Sequence, residues 1–266
     1  MARRNQTQGN RRQGDSSKQR KIRHLEEMLS KNAVATKTVP NKKVWTKHDM
    51  KYIRPLTQTQ ADMFEVYNEG YHVTAVGSAG TGKTFLALTL ALSSILENDS
   101  LQSKIIVVRS VVPSRDIGFL PGTAEEKVSV YEQPYREILK DLFGRDSTYD
   151  NMKEEGLIEF VPTSFIRGIT WDDAVIVVDE AQNMTDMELH SIMTRVGENT
   201  RIVVCGDTKQ NDLGGKRNSE QSGFETFMQV VAKMPTIQTI QFSSEDIVRT
   251  AFVRDWSCTR EDIGLA

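Results

Sequence analysis

Cysteine and histidine are scarce in this chain of 266 residues, and they are spread without the spacing of a metal site. The two cysteines, Cys205 and Cys258, form no Cys-x-x-Cys pair, and the four histidines share no spacing. This composition argues against a structural zinc site and fits a reducing compartment. Because Cys205 falls within an apolar run, we predict that it lies in the core.

Long hydrophobic runs are also absent from the sequence. No stretch approaches the roughly 18–20 consecutive apolar residues that a membrane-spanning helix needs. The N-terminus is basic but has no apolar segment of the kind found in secretory signals. We therefore expect a cytoplasmic protein that does not enter a membrane.

Charge is divided unequally along the chain, although the net charge is only −2. Residues 1–54 hold 15 Lys/Arg and 4 Asp/Glu, whereas residues 55–266 hold 19 and 32. We predict a basic N-terminal extension over 1–54 and a globular domain over 55–266. Residues 1–21 have almost no apolar side chains and are expected to be disordered, whereas Trp45, Tyr52 and Ile53 are expected to pack onto the domain. The arm either attracts nucleic-acid phosphates or serves as a solubilising tail.

From Thr57 onward, helical patterns alternate with short apolar strands. This alternation predicts an α/β fold with a mostly parallel sheet that is covered by helices on both faces. The polar stretch 144–156 is predicted to be a mobile loop. The predicted strands are 72–76, 104–108, 157–161, 174–178, 201–205 and 237–241, and the predicted helices are 57–67, 84–96, 123–143, 185–196 and 220–233.

A complete phosphate-binding loop, GSAGTGKT, occupies residues 77–84 between a predicted strand and a predicted helix. The glycines allow a tight turn that directs backbone N–H groups at phosphate oxygens, and the helix that starts here adds a positive dipole end. Lys83 supplies a charge for the β- and γ-phosphates, and Thr84 supplies a hydroxyl for Mg²⁺. The pattern predicts a site for a nucleoside triphosphate with magnesium.

Two acidic residues follow the apolar strand 174–178 and complete the predicted site. Asp179 is expected to hold Mg²⁺, directly or through water, and Glu180 is expected to polarise the attacking water. Taken alone, the pair is equally compatible with two solvated acids at a strand end. The predicted strand 201–205 is followed by 206–210 (GDTKQ). Gln210 in this segment either senses the γ-phosphate or belongs to a simple turn.

The order of these motifs resembles that of the PhoH-like proteins. The resemblance rests on the phosphate loop, 118–122 (GFLPG), 167–168 (RG), 179–183 (DEAQN), 206–210 (GDTKQ) and 244–249 (SEDIVR). It covers roughly residues 57–250 and implies a RecA-like P-loop ATPase with a core similar to that of superfamily 1 helicases. Where the family usually has Arg-Pro followed by a Gly-Glu-Lys run, this chain has Arg109-Ser110 and a shorter 113–116 (PSRD).

The resemblance also implies roles for individual residues. Gln60 would read adenine, Gln182 and Gln210 would couple the γ-phosphate to movement, and Arg249 would act as an arginine finger, if it is not simply paired with Glu245. The catalytic residues would be Lys83, Glu180, Gln210 and Arg249, the metal ligands Thr84 and Asp179, and the nucleic-acid contacts Arg109, Ser110, Arg115 and Arg167. The ATP site would consist of Gln60, Gly77, Ser78, Ala79, Gly80, Thr81, Gly82, Lys83, Thr84 and Phe85.

The chain has room for one lobe of a helicase-like core, and this predicts a ring. In two-lobed relatives the second lobe supplies an arginine, so an adjacent subunit is the simplest substitute, with Arg249 or Arg167 as the donor in cis or in trans. A head-to-tail contact closes as a ring, and the resemblance favours a hexamer.

Three functions remain open at this point. The first is an ATP hydrolase that binds or moves on RNA or single-stranded DNA. The second is an ATP-dependent switch that controls a protein partner without strand movement. The third is a small-molecule kinase, against which the DEAQ string and Gln210 argue.

Overall fold

The structure is a computed structural model that describes residues 45–111, 124–166, 168, 170–207 and 223–263, with residues 124–127 described by their backbone alone. Trp45 begins the compact unit to which all of these residues belong. The predictions of a disordered segment over 1–21 and of a basic arm up to Val44 lie outside the described residues.

Six strands form one sheet, and every pairing within it is parallel. Each apolar run that was predicted to be a strand is one, and the strand order is β3-β2-β4-β5-β1-β6. Because β5 lies between β1 and β4, the carboxyl ends of these three strands meet at one edge. The strands are β1 His72–Gly77, β2 Lys104–Arg109, β3 Ile158–Pro162, β4 Ala174–Asp179, β5 Arg201–Gly206 and β6 Ile237–Phe242.

Three helices begin at a threonine whose side chain caps them: Thr57, Thr185 and Thr250. Thr57 accepts a hydrogen bond from the backbone of Gln60, and Thr185 and Glu188 form a capping box. The C-terminal helix over Ala251–Asp262 was not predicted. No described helix is long and apolar enough to cross a membrane. The helices are α1 Gln58–Asn68, α2 Lys83–Ile95, α3 Ala124–Phe143, α4 Thr148–Glu154, α5 Asp186–Met193, α6 Phe224–Val231 and α7 Ala251–Asp262.

Helices cover both faces of the sheet, as the near-continuous apolar strands predicted. Alternate residues of β2 belong to different core clusters, with Ile105 and Val107 on one face and Ile106 and Val108 on the other. The first face packs against α1 to α4, and the second packs against α5 and α6. Cys205 lies in the core, as predicted.

The predicted mobile loop over 144–156 is wrong, because this stretch contains helix α4. Its side chains Tyr149 and Met152 are fully buried. The guanidinium of Arg136 lies 4.7 Å from the centre of the Tyr149 ring, and Lys153 pairs with the buried carboxylate of Glu132. A seven-residue helix with two apolar side chains carries little periodic signal, so its burial against α3 comes from tertiary contacts.

The segment before α1 packs onto the core through Trp45. The indole donates to Glu155 at 2.8 Å, and its ring meets Phe143 edge-on at 5.5 Å. Ile53 packs against the same core, whereas Tyr52 is 80% exposed, so the prediction that Tyr52 packs onto the domain is wrong.

We expect His72, at the start of β1, to make the stability of the fold depend on pH. Its Nδ1 accepts the backbone N–H of Ile202 at 3.2 Å, and burial, followed by the nearby Arg201 charge, lowers the pKa of His72. Above its unfolded pKa near 6.5, both states are neutral at this position. As the pH falls below that value, only the unfolded state gains a proton, so the free energy of unfolding decreases.

We expect His72→Asn, which keeps an acceptor but cannot titrate, to lose less stability between pH 7 and 5 than the wild type. The pH slopes of the free energy of unfolding of the two proteins should differ by an amount that approaches one bound proton per molecule. These slopes are measured by urea unfolding of the full chain at several pH values. Equal pH slopes for the two proteins would contradict this assignment.

Candidate functional site

The phosphate loop connects β1 to α2 and forms the centre of a cleft of about 730 Å³. Gly77 ends β1 with a φ of +127°, and a Cβ there would lie 1.9 Å from the carbonyl oxygen of Phe242. Only glycine fits this close approach between β1 and β6. The Lys83 ammonium donates to the carbonyl oxygens of Gly77 at 2.7 Å and Ser78 at 2.8 Å.

Lys83 lies among acidic groups at the edge of the sheet. Burial lowers the pKa of Lys83, and the neighbouring Cys205, Asp207, Glu180 and Asp179 oppose this shift. Since loop carbonyls and nearby acids surround the ammonium, it is held at the loop with its charge directed into the cleft. This is the location that a phosphate-binding lysine requires.

The two predicted metal ligands are in direct contact. The Thr84 hydroxyl donates to Asp179 Oδ1 at 2.7 Å, which joins the start of α2 to the end of β4. Asp179 is almost fully buried. A hydroxyl and a carboxylate oxygen this close are the hard oxygen donors that Mg²⁺ takes beside phosphate groups and water, so the residues present fit this ion.

Two residues that the sequence analysis did not place at the ATP site also approach Asp179. The Tyr135 hydroxyl, on α3, donates to Asp179 Oδ2 at 2.9 Å, and Arg109 Nη1 lies 3.9 Å from the same oxygen. Burial, together with the Asp179 charge, raises the pKa of Tyr135, so the phenol remains protonated. Burial would lower the pKa of Arg109, but Tyr135 and Asp179 raise it overall. No sequence motif singles out Tyr135.

Glu180 occupies a strained backbone position at the end of β4. Its φ of +53° and ψ of +44° are left-handed, which costs a residue with a side chain about 1–2 kcal/mol. Burial, followed by the Asp179 charge, raises the pKa of Glu180, while the Gln182 hydrogen bond and the Arg109 and Lys83 charges oppose the shift. A carboxylate held in this way lines the cleft and is suited to accept a proton.

Gln182 connects the ends of two neighbouring strands. Its amide nitrogen donates to Glu180 at 2.5 Å, and its carbonyl oxygen accepts the backbone N–H of Asp207 at 2.9 Å. The side chain is almost fully buried and does not line the cleft. Gln182 therefore links the carboxylate after β4 to the backbone after β5.

Gln60 contacts the phosphate loop. Its nitrogen donates to the carbonyl oxygen of Thr81 at 3.1 Å, and its oxygen accepts the backbone N–H of Leu56 at 2.9 Å. The amide retains one further donor hydrogen and one further acceptor position. Gln60 lines the cleft, as do Ala79, Gly80, Gly82, Thr84 and Phe85, whereas Gly77, Ser78 and Thr81 do not.

Arg249 lies over the phosphate loop of its own chain. The backbone N–H of Val248 donates to the Gly80 carbonyl at 3.2 Å, and a Cβ on Gly80 would lie 3.2 Å from Arg249 Cγ. Both Val248 and Arg249 line the cleft. Within the described part of the chain, no ion pair joins Arg249 to Glu245.

The predicted nucleic-acid residues are only partly covered by the structure. Arg109 ends β2 and turns toward Asp179 in the cleft, and the half-buried Ser110 follows it. Arg115 and Arg167, together with the γ-phosphate candidate Gln210, lie outside the described residues. The roles of all five stay predictions.

A parallel sheet in which β1 leads into a phosphate loop and β4 ends at the facing carboxylate defines a RecA-like P-loop NTPase fold. The family model described as "PhoH-like protein" matches residues 52–258. The chain belongs to the PhoH-like protein family, as the motif order indicated.

Several relatives share about a third of their residues with this chain. The PhoH-like protein of Bacillus subtilis (strain 168) is 34% identical over 203 residues, which cover 76% of this chain and 62% of the relative. The PhoH-like protein of Mycobacterium tuberculosis (strain ATCC 25618 / H37Rv) is 34% identical over 206 residues, covering 77% and 57%. Protein PhoH of Escherichia coli (strain K12) is 34% identical over 181 residues, covering 67% and 50%. The chain thus spans about half to three fifths of the length of these relatives.

A solved structure of the large terminase from a thermophilic bacteriophage in complex with ADP is also similar. Its TM-score is 0.49 at 10% identity, and the match covers 77% of this chain and 50% of that one. A likeness of this extent carries no statement about the function of this chain.

Proposed function

We propose that this protein is an ATP hydrolase that couples hydrolysis to binding or movement on RNA or single-stranded DNA. The observation that carries the proposal is the meeting of Lys83, the Thr84–Asp179 pair and Glu180 in one cleft. A phosphate-binding lysine, a metal-binding oxygen pair and a carboxylate for water are the parts that triphosphate hydrolysis requires.

Each of these residues has a distinct role in the proposed reaction. The backbone N–H groups of the loop bind phosphate oxygens, and Lys83 exchanges its carbonyl partners for the β- and γ-phosphates. Glu180 orients water and accepts its proton, while Gln182 fixes the direction of the Glu180 side chain. Arg249, over Gly80, supplies positive charge where negative charge develops.

Thr84 and Asp179 would hold the magnesium ion. When bound, Mg²⁺ neutralises charge on the phosphate oxygens and orients them.

Gln60 contacts the loop through the Thr81 carbonyl. We propose that its second amide hydrogen and the second acceptor position of its oxygen form hydrogen bonds with adenine.

The proposed nucleic-acid contact is supported by the position of β2. Arg109 ends this strand and Ser110 follows it, at the edge of the sheet that carries the ATP site. The basic composition of residues 1–54 adds sequence-independent attraction for phosphates. We propose that 55–266 is the ATPase domain, and the burial of Trp45 indicates that its compact unit also includes residues 45–54.

We also propose a head-to-tail ring, with a hexamer favoured by the family resemblance. The exposed apolar surface of α7 supports a neighbour beside the cleft. Phe252 and Trp256 on this helix are 75% and 59% exposed, directly after Arg249. The position of Arg249 at its own loop, however, means that this arginine does not have to come from the neighbour.

The same α7 surface favours a second function, an ATP-dependent switch that controls a protein partner. Exposed aromatic side chains are typical of protein contacts. Since Val248 and Arg249 line the cleft, nucleotide binding would be transmitted to α7 over a few residues. In this case hydrolysis would not respond to nucleic acid.

Phosphate release from ATP tests these functions, measured with and without single-stranded RNA and single-stranded DNA. We expect stimulation by one of the polymers and loss of the activity in Lys83→Ala. Hydrolysis that neither polymer stimulates would favour the ATP-dependent switch. A phosphorylated acceptor in place of free phosphate would indicate a kinase.

A further inference from the structure

Tyr135 is buried beside the reaction site although no motif contains it. Its side chain is fully inaccessible, and its ring packs 5.8 Å from that of Phe160 on β3. The hydroxyl donates to Asp179 Oδ2 at 2.9 Å across 44 positions of sequence. A buried hydroxyl without a partner is costly, and the partner of Tyr135 is the predicted metal ligand.

The two oxygens of Asp179 have different donors. Oδ1 accepts the Thr84 hydroxyl at 2.7 Å, whereas Oδ2 accepts the Tyr135 hydroxyl at 2.9 Å and has Arg109 Nη1 at 3.9 Å. Hydrogen bonds to both of its oxygens restrict the rotation of a carboxylate about its terminal bond. With Tyr135 on Oδ2, the oxygen shared with Thr84 faces the phosphate loop.

Thr84 cannot set this rotation alone. Its hydroxyl is itself a metal ligand in the proposed site, so its contact with Asp179 must adjust when the ion binds. The Tyr135 hydroxyl bonds the other carboxylate oxygen, so an ion bound at Oδ1 and Thr84 would not displace it. Hydrogen bonds of this kind behind a metal ligand typically change metal affinity or activity by about 10–100-fold.

We propose that Tyr135 is a positioning residue that orients the Asp179 carboxylate for Mg²⁺ in the nucleotide site. The inference rests on the proposed function, because it concerns the metal that accompanies ATP. Tyr135 does not touch the nucleotide in this proposal and acts only through Asp179. Its loss should therefore alter the magnesium requirement while leaving metal-free contacts of the nucleotide intact.

The test is Tyr135→Phe, which removes the hydroxyl and keeps the ring, in a Glu180→Gln background that prevents turnover. A fluorescent N-methylanthraniloyl ATP is bound to the full chain, first with EDTA and then across a titration of Mg²⁺. We expect about 10–100-fold more Mg²⁺ at half-saturation, in line with the usual effect of such contacts, and an unchanged affinity in EDTA.

Tyr149→Phe is the matched control. Tyr149 is equally buried but lies on α4, away from the cleft, so its variant should keep the parental magnesium dependence. A second variant, Tyr135→Leu, tests the loss of the hydroxyl in a different core packing if Tyr135→Phe does not fold.

The outcomes separate this inference from the function on which it rests. A folded Tyr135 variant with the parental magnesium half-saturation overturns the positioning role and leaves the proposed hydrolase intact. Equal loss of affinity in EDTA and in Mg²⁺ also overturns it, since that result indicates a general packing defect. A Glu180→Gln parent that binds no nucleotide at all overturns the proposed function and this inference together.

Discussion

Glu180→Gln is expected to reduce ATP hydrolysis by about 10²–10⁴-fold while ATP still binds, because that is the usual contribution of a proton-accepting group. The amide cannot accept a proton from water, yet it has the size of the carboxylate. Glu180 lines the cleft, where burial and the Asp179 charge raise its pKa by disfavouring the ionised form. The carboxylate thus becomes a stronger proton acceptor within reach of the phosphate loop.

Single-turnover phosphate release measures this effect, with fluorescent ATP binding as the separate readout. Glu65→Gln is the control, since Glu65 is exposed on α1 and does not line the cleft. Hydrolysis within a few-fold of the wild type in Glu180→Gln would remove Glu180 from the proposed mechanism. Loss of binding together with hydrolysis would instead indicate that the strained turn at Glu180 had changed.

Arg249→Ala is expected to have the largest effect, a decrease in hydrolysis of about 10³–10⁵-fold, because we propose that Arg249 acts as an arginine finger and this is the usual contribution of such a residue. Arg249 lies beside Gly80 at the loop that would hold the β- and γ-phosphates, and no acidic side chain in the described residues forms an ion pair with it. Its charge is therefore available to the transition state. ATP binding should be spared, and Arg254→Ala, an exposed arginine on α7, is the matched control.

Mixing two inactive variants determines whether Arg249 acts on its own chain. In a ring assembled from equal amounts of Arg249→Ala and Lys83→Ala, about one interface in four would combine an intact Lys83 with an intact Arg249 from the neighbour. Because Arg249 lies at its own phosphate loop, we expect no recovery of activity. Recovery to about a quarter of the wild-type rate would show that the arginine is donated in trans and would overturn the assignment in cis.

The sequence by itself determined the sheet and the phosphate-binding half of the site. Apolar strands alternating with helices predict a covered parallel sheet, and each of the six strands is present. The loop 77–84 can be recognised in the sequence because its glycines, Lys83 and Thr84 all lie within eight consecutive residues. Asp179 and Glu180 were predicted to complete the site because they directly follow the predicted strand 174–178, and the carboxyl end of a parallel strand marks the edge where ligands bind.

Only the tertiary structure decided which distant side chains surround Asp179. Tyr135 is 44 residues away from Asp179 in the chain, and in the sequence it resembles the other apolar positions of α3. Arg109 was predicted to contact nucleic acid, yet its guanidinium lies near Asp179. Helix α4 was missed because seven residues carry too little periodicity, although its burial against α3 is complete at Tyr149. These contacts depend on strand order and helix packing, and local sequence patterns do not encode either one.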